Sequence, residues 1–374
     1  MTIAPTTDGD AVGSVTTGMA SAGIDDDQAK RTLLLVVGSG HSGTSVFAGL
    51  LSRLGFSIPQ PEVVPDETNP RGFGEPQWVV EFHTRMLRQA KVQVTDARPA
   101  AWALAGKASY AQKDRDTLRK WLAGEFAKSD NVLIKDPRLL WFVPLWRACG
   151  QDLGAKVRFV TMLREPAEVV KSKETWYDQM SNPANRLSGW VNTMLYTERA
   201  TRDDKRAYML FNDLLADWTK SVSQAGDVLG LDVLHTCTTK EMREADALIE
   251  PTLVRSKASL DDLPVPEDLR VFARRVWDEM LVLADPEGDV AAAQGRLDQI
   301  REDYIAYYDM VEAVAYSSIM AAHRYGMRRA MRRTQEQDAA LLMTLVRKVP
   351  QSWRDMIPLK LRRKILGTVR SLIN

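Results

Sequence analysis

An α/β fold, with a central parallel sheet flanked by helices, is predicted for this chain by three observations. The first is a short aliphatic run, Leu33-Leu34-Leu35-Val36-Val37, ending in the glycine cluster Gly38-Ser39-Gly40. The second is a series of further short apolar runs separated by stretches with helical spacing. The third is composition: 374 residues with 45% apolar and 26% charged side chains, 22 Gly and 17 Pro. That balance is globular and excludes a collagen, a wholly disordered chain and a disulfide-stapled miniprotein.

Each element follows from its local pattern. Leu33 to Val37 is a strand buried on both faces. After the glycines, Val46, Phe47, Leu50, Leu51 and Leu54 fall on one helical face, and Gly55 stops the helix. Pro59, Pro61, Pro65, Pro70 and Pro76, with Gly72 and Gly74, make Pro59 to Pro76 a long loop. Helices are expected over Gln77 to Gln89 and Asp114 to Lys128, strands at Val132 to Ile134 and Val157 to Met162, and a helical segment at Leu139 to Cys149 between them. A last strand at Tyr208 to Leu210 runs into an amphipathic helix from Asp213 to Leu229. From about Pro266 onward the pattern is almost all helical. The expected organisation is a flexible, acidic lead-in over 1–30, an α/β domain with helical insertions over 31–325, and a basic helical extension over 326–374.

Gly38-Ser39-Gly40-His41-Ser42-Gly43-Thr44-Ser45 nearly satisfies the nucleotide-loop pattern GxxxxGK[ST], with Thr44 where the lysine belongs. Glycines let successive N–H groups turn toward one anion, and the helix N-terminus adds its dipole. The lysine that reaches the terminal phosphates of a nucleoside triphosphate is missing, and no acid of the Walker B kind follows a strand. The loop is P-loop-like, built for a phosphate rather than for phosphoryl transfer. A second constellation lies at Leu163-Arg164-Glu165-Pro166, where Arg164 ends a strand, Pro166 opens a helix and Ser172 follows eight residues after the arginine. Arg164 offers a planar fork suited to a phosphate, and Ser172 a hydroxyl.

Together these motifs resemble the sulfotransferase family that uses 3'-phosphoadenosine 5'-phosphosulfate, in its bacterial branch. The resemblance spans roughly Leu33 to Lys257 and includes Lys135-Asp136-Pro137-Arg138-Leu139, Asn212 to Trp218 and Ile249 to Arg255. It implies that Ser39, Gly40, His41, Ser42, Gly43, Thr44 and Ser45 hold the 5'-phosphosulfate, that Arg164 and Ser172 hold the 3'-phosphate, and that Arg255 belongs to the donor site. The chain departs from the family at His41, where Arg or Lys is usual. An unperturbed histidine is mostly neutral at pH 7, although a bound dianion raises its pKa. Lys135, at a strand end in the same sheet, is the other candidate for that charge.

Sulfuryl transfer to a hydroxyl needs a base, cationic or N–H donors for the spreading charge, and in-line positioning, with no metal required in principle. Glu75, in Asn69-Pro70-Arg71-Gly72-Phe73-Gly74-Glu75-Pro76, is the best candidate base, with Glu81 and His83 as alternatives; its competing role is to cap the helix that Pro76 opens. Trp176 and Tyr177 are candidates to line the acceptor pocket. The acceptor is expected to be a hydroxyl-bearing small molecule, glycan or lipid. A P-loop-type kinase or nucleotide-binding protein, and a catalytically disabled membrane-surface binding protein of the same fold, are the competing readings.

The near balance of 50 basic against 49 acidic residues conceals an asymmetry. Ala321 to Asn374 holds thirteen Arg and Lys against Glu336, Asp338 and Asp355, a net +10, which leaves about −9 on the rest. The basic amphipathic end suits peripheral contact with an anionic membrane surface or self-association; no nucleic-acid module accompanies it. Two cysteines without a CxxC motif, no apolar signal core and no apolar run of spanning length fit a cytoplasmic protein, peripheral at a membrane if the tail binds one.

Overall fold

The computed structural model describes residues 29–67, 69–176, 182–249, 257–348 and Pro358. The chain divides into two compact units, Met1–Glu302 and Asp303–Asn374.

The first unit is built on a four-stranded sheet of β1 (Arg31–Val37), β2 (Asn131–Lys135), β3 (Ala155–Leu163) and β4 (Arg206–Leu210), in the order β2-β1-β3-β4. All neighbours are parallel, with Leu35 opposite Ile134 on one side and Phe159 on the other. Because side chains alternate across a strand, β1 serves two cores. Leu33, Leu35 and Val37 join Val79, Phe82, Leu118, Trp141 and Trp146 beneath α2 (Gln77–Ala90), α4 (Gln112–Phe126) and α5 (Val143–Asp152). Leu34 and Val36 join Phe47, Leu51, Leu214 and Val222 beneath α1 (Thr44–Arg53), α8 (Phe211–Ala216) and α9 (Trp218–Leu229). A fully buried side chain of this size is worth about 1.5–3 kcal/mol, so the two-sided burial of β1 anchors the sheet.

Two boundaries differ from the sequence expectation for local reasons, and one helix is additional to it. The single helix expected over Asp213 to Leu229 is two, because Asp217 (φ −153°, ψ 89°) leaves the helical region and caps α9 by accepting from the Lys220 N–H at 3.0 Å. The Leu139 to Cys149 helix starts as a 3-10 turn, Leu139–Phe142, before α5; Pro144 in the first turn of α5 has no N–H to carry the α-helical ladder across the join. A helix not singled out by the sequence pattern, α3 (Ala101–Ser109), sits between α2 and α4.

Past β3 come α6 (Pro166–Trp176), α7 (Pro183–Thr201), then, after α9, α10 (Thr239–Asp246), α11 (Glu267–Ala284) and α12 (Val290–Lys348). In the second unit α12 continues unbroken to Lys348, and its residues from Asp309 to Thr334 are nearly all exposed. Among the described residues no helix is long and apolar enough to cross a membrane. The lead-in before Ala29 and, Pro358 apart, the tail after Lys348 lie outside the described residues.

Candidate functional site

β1 pairs with β2 on one side and β3 on the other, so the chain's path reverses direction at β1. In parallel α/β sheets such a switch point opens a crevice at the carboxyl ends of the strands. Here that crevice is a cavity of about 690 Å³. The Gly38 to Gly43 loop after β1, Lys135 at the end of β2 and Arg164 just past β3 all reach it.

The glycine loop is held by backbone conformation. Gly43 takes φ +85° as the N-cap of α1, and a Cβ there would run into the Phe211 ring, so glycine is required. His41 also sits at φ +71°, which costs a non-glycine residue about 1–2 kcal/mol. Two contacts hold it there: Arg164 Nη1 donates to the His41 carbonyl at 3.2 Å, and His41 Nδ1 lies 3.1 Å from Ser172 Oγ. Arg164 in turn donates from Nε to Glu168 Oε2 at 2.8 Å and lies over the Phe211 ring, 5.1 Å from its centroid. The structure therefore brings His41, Arg164 and Ser172 to one wall, with Gly40, Gly43, Thr44 and Ser45 beside them. Ser39 and Ser42 are buried and do not line the cavity. Burial, with the nearby charges of Lys173, Lys135 and Arg164, lowers the His41 pKa to about 3. The imidazole is thus neutral in this structure and not the permanent cation that Arg or Lys would supply.

A second part of the cavity lining is an ion-pair network. Lys135 Nζ donates to Glu75 Oε1 at 2.5 Å, to the Phe73 carbonyl at 3.1 Å and to Ser45 Oγ in the first turn of α1 at 3.2 Å. Arg138 Nη1 stands 3.8 Å from Glu75 Oε2 and donates to Asp136 Oδ1 at 2.7 Å. Asp136 is fixed from behind. His83 Nδ1 lies 2.7 Å from Asp136 Oδ2, and the Trp146 indole N–H donates to His83 Nε2 at 2.8 Å, which assigns the histidine proton to Nδ1. Burial pushes the Asp136 carboxyl up, but the hydrogen bond from His83 and the Arg138 charge outweigh it and hold it below the usual carboxylate range.

These placements separate the three base candidates. Glu75 is buried at the cavity wall. It does not cap α2: Pro76 is the N-cap without a side-chain cap, and the Glu75 carboxylate turns to Lys135 instead. Glu81 is exposed on α2, accepting from Gln77, and His83 is fully buried with both ring nitrogens engaged; neither lines the cavity. Arg255 and Tyr177 lie outside the described residues, as does the Trp176 side chain. Lys257, next to the Arg255 segment, lines a second hollow of about 640 Å³ together with Glu168, Asn212 and Ser259.

Several wall residues were not anticipated from sequence. Lys173 and Arg186 are buried cations at the cavity, Lys173 donating to Thr95 Oγ1 at 3.3 Å. Only the adjacency of Lys173 to Ser172 hinted at either. Among the described residues no group of three or more His, Cys, Asp or Glu is placed to hold a metal ion.

Fold and site together define an α/β protein with a glycine loop at the switch point of a parallel sheet and a buried carboxylate–lysine pair lining the same cavity. The sequence matches no family model and no curated protein. Among solved structures it is similar to a sulfotransferase domain from a Synechococcus olefin synthase, at 15% identity over 73% of this chain and 94% of that one, with a TM-score of 0.36. A sulfotransferase domain from the curacin biosynthetic pathway is 12% identical over 73% of this chain and 97% of that one, TM-score 0.36. The sulfotransferase STF1 from Mycobacterium tuberculosis is 16% identical over 67% and 77%, TM-score 0.36.

Proposed function

We propose that the chain is a sulfotransferase that moves the sulfuryl group of 3'-phosphoadenosine 5'-phosphosulfate to a hydroxyl of a small molecule, glycan or lipid, by direct in-line transfer with Glu75 as base. One observation carries this reading: a single cavity joins a glycine loop at a helix N-terminus, the Arg164–Ser172 wall and the Lys135–Glu75 pair. The donor set fits an elongated polyanion, since it combines first-turn N–H groups of α1, the hydroxyls of Thr44 and Ser45, a guanidinium and an ammonium. When bound, the donor supplies an activated sulfuryl group on a phosphate leaving group.

The chain's own residues account for the rest. The loop amides and the α1 dipole hold the 5'-phosphate end, and Arg164 with Ser172 the 3'-phosphate end. Lys135, already hydrogen-bonded to Ser45 of the loop helix and to Glu75, stands between phosphate and base. With an anion held at the loop, the Lys135 ammonium would turn toward it and loosen its hold on Glu75. The carboxylate is then released to accept the acceptor hydroxyl proton at Oε1, while Lys135 neutralises charge at the transferring group. The same anion raises the pKa of His41 from its low value and lets the ring share that charge.

A titration with adenosine 3',5'-bisphosphate and with ATP plus magnesium tests the reading. Tight bisphosphate binding is expected, with weaker binding of the triphosphate. Preference for magnesium–ATP overturns it in favour of a nucleotide kinase.

A further inference from the structure

The part of α12 in the second unit has a feature that sulfuryl transfer does not use. Between Asp309 and Thr334 its side chains are almost all exposed, including Tyr316 (61%), Ile319 (45%), Met327 (49%) and Met331 (61%). Tyr316, Ile319, Met320, Met327 and Met331, together with His323 and Ala330, recur at intervals of three and four and form one stripe along the helix. Arg324, Arg328, Arg329, Arg332 and Arg333 occupy the flank and the opposite face, and no Asp or Glu occurs from Ala321 to Thr334.

We infer that this stretch of α12 lies along an anionic phospholipid surface, apolar stripe inward and arginines at the headgroups. The charge pattern selects the occupant. A second copy of the same helix, laid stripe to stripe, would bring only the flanking Arg324 and Arg333 of each helix together and leave Arg328, Arg329 and Arg332 on the far faces, with no acid in the segment to pair with any of them. A nucleic acid would satisfy the arginines and leave the stripe in water. An anionic bilayer surface satisfies both: the stripe enters the acyl boundary, and the long arginine side chains reach up to the phosphates. Each basic residue near such a surface is worth about 1 kcal/mol, close to fivefold in partitioning, and the effect fades within a Debye length. This inference concerns location and is independent of the reaction proposed above.

The test uses the full chain and co-sedimentation with vesicles of phosphatidylcholine alone or of phosphatidylcholine with phosphatidylserine. Binding to the phosphatidylserine vesicles is expected, weakened by salt and much weaker on phosphatidylcholine alone. Replacing Arg324, Arg328 and Arg332 together by Gln should cut partitioning by about a hundredfold. Met327→Glu with Met331→Glu should abolish it while leaving the thermal midpoint unchanged, because both side chains are exposed. The inference is overturned if the chain ignores phosphatidylserine, or if the double Glu variant still binds as well as the parent, which would mean charge alone. It is equally overturned if sedimentation without lipid shows a dimer that Met327→Glu dissociates, with no lipid binding, or if the segment retains duplex DNA in preference to the vesicles.

Discussion

The two walls of the cavity are held in different ways. The glycine-loop wall is largely a backbone construction: two glycines and one histidine at positive φ and an arginine donating to a carbonyl, with the Arg164–Glu168 ion pair behind it. The Glu75 wall is a side-chain construction, in which Lys135, Glu75, Arg138, Asp136 and His83 form one chain of contacts ending at Trp146. A backbone cradle binds by shape and tolerates changes in charge. A buried ion-pair chain has every member dependent on the next, so it responds steeply to the loss of one. The difference suits the proposed division of labour, with passive donor binding on one side and proton handling on the other.

Substitutions that strike one wall at a time sharpen the contrast. Glu75→Gln keeps the shape of the side chain and removes the base, so kcat is expected to fall by about 10²–10⁴-fold while calorimetric binding of adenosine 3',5'-bisphosphate is little changed. Near-normal turnover would remove Glu75 from the chemistry. Lys135→Met takes the hydrogen-bonded ammonium from the Glu75 carboxylate, buried at 7% exposure with Arg138 3.8 Å away, and denaturant unfolding should show a loss of about 3 kcal/mol. Combining it with Glu75→Gln should restore much of that loss, because the pair is coupled.

On the loop wall the expected effects are smaller and of another kind. Arg164→Ala should weaken bisphosphate binding by about 10- to 100-fold, the range for hydrogen bonds to a charged group; it also takes the guanidinium from the buried Glu168 carboxylate, so denaturant unfolding of the same variant should show a separate loss of stability. Gly43→Ala forces a Cβ toward Phe211 and should cost about 1–3 kcal/mol in stability. The pH response of His41 comes last. Its folded pKa lies below the unfolded value of about 6.5, so between pH 6.5 and pH 3 the unfolded chain takes up a proton that the folded chain refuses. His41 therefore lowers stability progressively as pH falls through that window and costs nothing above it. Comparing unfolding midpoints of the parent and His41→Gln between neutral and acidic pH should show a flatter dependence in the variant.

The loop wall was the more legible in sequence, for the same reason that it is the simpler construction. Gly38 to Ser45 is contiguous, and Arg164 and Ser172 are joined by one strand end and one helix, so local spacing predicts their convergence. Glu75 was legible through its Pro- and Gly-rich setting, but its partner was not. Sixty residues separate it from Lys135, and the two meet because the stretch before α2 is laid against the end of β2, with Phe73 and Glu75 both on the Lys135 ammonium. His83 illustrates the limit: a histidine eight residues from a candidate base reads as a rival until packing shows Asp136 on one nitrogen and Trp146 on the other. Arg186 and Phe211 carried no local signal, because what brings them to the cavity is the docking of α7 and α8. The α8–α9 break was signalled only by Asp217, whose capping competes with a periodicity that otherwise continues through it.

The Phe211 ring touches both arms of the loop wall, pressing on the Gly43 backbone and lying beneath the Arg164 guanidinium. Neither arm can be altered in isolation. A larger residue at position 43 displaces the ring and with it the seat of Arg164, whereas a smaller residue at 211 would make room for a side chain at 43 and loosen the arginine. In a set of homologous sequences these three positions should vary as a block, so that a non-glycine at 43 appears with a shrunken 211 and a replaced 164.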